Sequence, residues 1–177
     1  MKFKQKVDLS IAIFLIMIGC SLLILPIFKV VNLEVVFITV MILYAIANFL
    51  QFILTKSSKD YEGLFTSLIS VAVVIASFFL DITEKPVNLA MLLMAWITIM
   101  SVIKLKKSDY YDDRNNKMWK LRIATLALFM IVGFLTSINL YYEEYVRIIV
   151  LGYFFFIHGV LELTDPIVNY LLDKKSR

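Results

Sequence analysis

VDLSIAIFLIMIGCSLLILPI, residues 7 to 27, carries a single charge, Asp8, in a run of the length that crosses a bilayer as a helix, for which about 20 apolar residues are needed. Lys2, Lys4 and Lys6 stand before it and Lys29 after it. Five more stretches of the same character follow, at about 33–54, 63–81, 87–104, 119–140 and 145–171. Inside lipid the backbone must satisfy its own hydrogen bonds, which selects helices for apolar runs of this length. Hydrophobic residues make up 61% of the 177, charged residues 18%, and the mean hydropathy is +0.86, so lipid is the expected solvent. The expected fold is all-α: a polytopic membrane protein of six transmembrane helices, arranged as three helical hairpins in one domain over residues 1–177, with no segment left for a soluble domain.

The basic residues give an orientation. Lys2, Lys4, Lys6, Lys56, Lys59, Lys104, Lys106, Lys107, Arg114, Lys117, Lys120, Arg122, Lys174, Lys175 and Arg177 fall on one set of alternating connections, and Lys29, Lys85 and Arg147 on the other. Short loops rich in Lys and Arg stay in the cytoplasm, which predicts that both termini are inside. The net charge of +4 follows from that bias and marks orientation and anionic lipid, not a nucleic-acid surface. A competing reading of the amino terminus is a secretory or lipoprotein signal ending near Met17-Ile18-Gly19-Cys20. The apolar run continues past Cys20 to Leu25 with no polar linker behind it, which favours a membrane span.

The outer connections are short and marked by Pro26, by Asp81 to Pro86 and by Asn139 to Glu144, with Pro86 suited to the first turn of the fourth helix. Lys106 to Lys117 reads as a solvated inner loop carrying Asp109, Asp112, Asp113 and Arg114, with Tyr110, Tyr111 and Trp119 at headgroup level. The even helices align without gaps, placing Ile46–Phe52 over Trp96–Val102 and Ile157–Leu163. Asn48, Thr98 and Gly159 then coincide, as do Gln51, Ser101 and Glu162; in the odd helices Gly19, Ala76 and Gly133 align more loosely.

Two motifs bear on family. Ile16 to Phe28, with Gly19, Leu22, Leu23, Pro26 and Phe28, resembles the Gly-Leu-Leu run ending in Pro-Phe of the HdeD-like short-repeat membrane proteins. Gly152 and Gly159, seven apart, are similar to that family's paired glycines in even helices; helices 2 and 4 lack the pair and carry Asn48 and Thr98 at its second position. The resemblance implies a bacterial inner-membrane protein of six helices in repeated pairs, linked in some members to acid or envelope stress, with no catalytic residues to carry over.

Glu162 is the one carboxylate well inside an apolar run, and His158, four residues earlier, shares its helical face. Ionisable groups at membrane depth are costly and invite a functional reading. His158 and Glu162 either hydrogen-bond neighbouring helices together or take part in proton or ligand chemistry. With Asn48, Gln51, Thr98 and Ser101 they are expected to build a polar layer in the cytoplasmic half. Asp165, before Pro166, is expected to be solvated near the inner interface. Ala72 and Ala76 form a small-xxx-small pair for close helix packing, within the bundle or against a second copy or a partner membrane protein. Phe154, Phe155 and Phe156 read as core or lipid-facing aromatics.

One His and one Cys exclude Cys/His metal sites and an internal disulfide, and there is no phosphate loop, His-Glu-x-x-His or assembled nucleophile set, so no catalytic, cofactor or metal residues are assigned. The expectation is a non-enzymatic membrane protein with the lipid bilayer as its principal partner. The alternative is a solute-binding or transport protein resembling the substrate-capturing subunit of a vitamin transporter, which would need a closed pocket near the outer face.

Overall fold

The computed structural model describes residues 2–28, 32–55, 61–112, 118–141 and 143–175. Its helices are α1 (Phe3–Ile24, continued by a 3₁₀ turn over Leu25–Phe28), α2 (Leu33–Thr55), α3 (Glu62–Ser77), α4 (Pro86–Asp112), α5 (Met118–Ile138, with a 3₁₀ turn over Asn139–Tyr141) and α6 (Glu144–Lys175). All but α3 are long and apolar enough to cross a membrane, and the chain is an integral membrane protein built as a helical bundle.

Local chemistry sets the helix ends. Asn32 Oδ1 accepts from the backbone N–H of Glu34 and Val35 and starts α2. Pro86 opens α4 as expected, its missing N–H being one the first turn does not use. α3 stops at Ser77, four residues short of the sequence expectation, because the chain tightens there: the N–H groups of Phe78 and Phe79 donate to Ile75 and Ala76 three residues back. Asp81 is then drawn into the next turn, taking the Glu84 N–H on its side chain and the Asn88 amide on its carbonyl. At 1.5 Å per residue α3 spans about 24 Å, short of a hydrocarbon core of about 30 Å. α4 errs the other way, running to Asp112 where a loop from Lys106 was expected. Ile97, Met100, Lys104, Lys107 and Ser108 continue one buried or half-buried stripe, so the helix goes on as long as that stripe finds partners. Asp113 to Lys117, and the side chains of Tyr110 and Tyr111, lie outside the described residues; Trp119 is half-buried, and its carbonyl accepts from the Ser108 hydroxyl.

The helices close into a ring in chain order, sealed by α1 against α6. That seam is the most extensive contact in the bundle, followed by α2 with α3 and α4 with α5, so the tightest pairs are not α1 with α2, α3 with α4 and α5 with α6. Glycine makes the seam. A Cβ at Gly19 would collide with the Phe156 nitrogen, and one at Gly159 would lie 2.7 Å from the Ile16 nitrogen, so the backbones touch where lipid provides no hydrophobic drive for association. α3 meets its neighbours through Gly63, Thr66, Ser67, Ser70, Val73, Val74 and Ser77. Of the small pair, Ala76 is half-buried and packs against the core, while Ala72 is exposed.

At the centre Tyr44, Trp96 and Phe155, one from each even helix, meet with ring centroids 5.5 Å apart for Tyr44–Trp96 and 6.4 Å for each of the others with Phe155. This trio resets the internal alignment. Burial places Trp96 opposite Tyr44, two residues away from the gap-free register, while α2 and α6 keep theirs. Thr98 consequently faces outward instead of joining Asn48 and Gly159.

Candidate functional site

Side chains from α3, α4, α5 and α6 converge at one end of the bundle in a half-buried ion network. Lys104 pairs with Glu162 and lies 3.7 Å from Glu62; Lys107 also pairs with Glu62, and Arg122 pairs with Asp165. These side chains are between 9% (Arg122) and 30% (Glu162) exposed, so the pairs are only partly screened by water. The cations Lys104, Lys107 and Arg122 balance Glu62, Glu162 and Asp165 one for one, which is what lets such a set be buried. Lys104 is also held over the Phe129 ring, 5.6 Å from its centroid.

The network reaches the bundle centre through one residue. His158, 1% exposed, has Nε2 3.1 Å from the Tyr44 hydroxyl and Nδ1 3.9 Å from Glu162 Oε1, beyond hydrogen-bonding range. Phe129 packs on the imidazole with centroids 4.8 Å apart, Phe154 stacks at 6.0 Å, and Trp96 meets it edge-on. The Trp96 indole donates to Ser70, whose hydroxyl donates to the Thr66 carbonyl, so the aromatic centre is anchored to α3. A polar path therefore runs from Lys107 through Glu62, Lys104 and Glu162 to His158 and Tyr44.

Two clefts flank this path, each a cavity of about 30 Å³. One is lined by Asp8, Asn48, Gln51 and Tyr44, the other by Phe129, Leu161 and His158, and both share Glu62, Lys104, Arg122, Glu162 and Asp165. Each has room for roughly two water molecules, whereas sites for organic ligands run to hundreds of Å³. Among the described residues no group of acidic, His or Cys side chains is arranged to hold a metal ion.

Of the expected polar layer, His158, Glu162, Asn48 and Gln51 do gather around the clefts. Gln51 donates to Asp8 across to α1, at 2.8 Å, and the buried Asn48 amide donates to the Tyr44 carbonyl. Ser101 is buried but spends its hydroxyl on Ile97 of its own helix. Thr98 does the same toward Met94 from an exposed position. Asp165 is not the solvated residue expected, because α5 brings Arg122 to it.

Sequence reasoning placed Lys104, Lys107 and Arg122 among the orienting charges and missed that they turn inward. A signal was present: Lys104 and Lys107 continue the face of Ile97 and Met100, and Glu162 and Asp165 are likewise three residues apart. No protein-family model matches the chain, and neither a curated protein nor a solved structure matches it.

Proposed function

We propose that the protein is a non-enzymatic, multi-pass protein of the bacterial cytoplasmic membrane, of the HdeD-like type that its first and last helices resemble, acting in acid or envelope stress. Both termini and the charged end of the bundle face the cytoplasm, following the Lys and Arg bias, which persists when the three inward-turned cations are left out. The observation that carries the reading is the balanced ion network around Glu162 in a chain of apolar helices, since ionisable side chains enclosed by apolar helices are costly and mark a functional position. The exposed Ala72 side of α3 is left to lipid, a second copy or a partner membrane protein.

The solute-transport alternative gains nothing from clefts with room only for water. A strain lacking the protein, compared with one carrying it, should lose survival on a shift to acid or under envelope damage, with rescue by the wild-type chain. Equal survival of both strains in every such challenge would remove the proposed role. Reporter fusions to the α4–α5 connection and to the carboxyl terminus should report cytoplasm; a periplasmic signal from either would reverse the orientation.

A further inference from the structure

We infer that His158 is a proton-binding site, reached by water from the charged end of the bundle and closed toward the opposite end by apolar packing. Buried imidazole nitrogens are normally hydrogen-bonded, yet Nδ1 of His158 has no such partner among the described residues. His158 and Asp165, whose Oδ1 is likewise buried without a hydrogen-bond partner among the described residues, line the same cleft with Glu162. The 3.9 Å between Nδ1 and Glu162 Oε1 is too long for a direct bond and suits a bridging water. A cavity of about 30 Å³ fits water, and the ligand that water delivers is a proton.

In the tautomer that carries its proton on Nε2, that N–H donates to the Tyr44 oxygen and the Nδ1 lone pair faces the cleft. The proton passes from hydronium to Nδ1, an N–H bond forms, and water is released back to the cleft. Every neighbouring helix contributes to the electrostatics of that position: Tyr44 from α2, Glu62 from α3, Lys104 and Lys107 from α4, Arg122 from α5, and Glu162 and Asp165 from α6 itself, with Asp8 of α1 on the adjoining cleft. Beyond the imidazole Leu89, Leu93, Trp96, Phe154, Phe155 and Leu151 are all fully buried. Leu89 to Trp96 alone is roughly 10 Å of helix with no titratable side chain. The site binds protons and does not conduct them.

The chain has a single histidine, so imidazole ¹⁵N signals from histidine-labelled protein in lipid nanodiscs can be assigned without ambiguity. Between about pH 8 and about pH 3 the wild-type protein should show one reversible transition in which Nδ1 gains a proton while the rest of the spectrum stays folded. Glu162→Gln should displace the midpoint. Nitrogen shifts that stay constant over the range, or change only as the folded spectrum is lost, would overturn the proposal; an unmoved midpoint in Glu162→Gln would remove that carboxylate from the site. In proteoliposomes the protein should add no proton flux to that of protein-free vesicles, and a flux abolished by His158→Gln would refute the closure. The titration is independent of the stress role and of orientation, so its failure leaves that reading standing, and the reverse.

Discussion

Breaking the Arg122–Asp165 pair one partner at a time, and then removing both, tests whether the inward-turned charges hold the bundle together. Arg122 is 9% and Asp165 20% exposed, so either charge left alone is stranded in a largely dry position. Removing one member of a buried pair costs 3–5 kcal/mol in general; the residual access of Asp165 to water lowers that to about 2–4 kcal/mol for Asp165→Leu. Arg122→Met falls at the upper end, because Arg122 makes contacts beyond this pair. The double variant removes both desolvated charges and should cost no more than about 1–2 kcal/mol, less than either single change. Purified protein in detergent, unfolded with increasing SDS and followed by tryptophan fluorescence, gives the three differences directly, with Trp96 reporting from the bundle centre. If the double variant were destabilised by the sum of the singles, the two residues would not be coupled and the network described here would be wrong.

Other expectations follow from single contacts. Gly19→Ala drives a methyl group into the α6 backbone at Phe156 and should destabilise by at least the 1–3 kcal/mol typical of overpacking, whereas Gly133→Ala meets only the Ile97 side chain, 2.6 Å at its tip, and should cost less; the same unfolding assay ranks them. Thr98→Ala should change stability by less than about 0.5 kcal/mol, since the side chain is exposed and bonded within its own turn; a large loss would restore Thr98 to the polar layer. Tyr44→Phe removes the hydroxyl that meets His158 Nε2 and should cost about 1 kcal/mol, with a changed imidazole ¹⁵N spectrum as its specific signature.

The polar layer shows how far periodicity carries and where it stops. His158 and Glu162 are four apart on one helix, as are Tyr44 and Asn48, so each pair was legible as a shared face. The meeting of Glu162 with Lys104, or of Asp165 with Arg122, joins residues 58 and 43 positions apart in the chain, and no local pattern states it. Thr98 was misplaced for a related reason. A gap-free alignment counts residues, while the bundle aligns volumes, and the indole of Trp96 takes the place opposite Tyr44.

By itself the sequence determined that this chain is a helical membrane protein, because the cost of unsatisfied backbone in lipid leaves apolar runs of some twenty residues no other form, and that its basic residues are biased to one side. Only the tertiary structure decided that α1 seals the ring against α6, that three of those basic residues turn inward to balance three carboxylates, and that His158 ends the polar path at an aromatic plug. Partition between water and lipid is a property of each segment and can be read one segment at a time. Charge pairing and close packing depend on which helices become neighbours, and that is settled by glycines and side-chain volumes acting across the whole bundle.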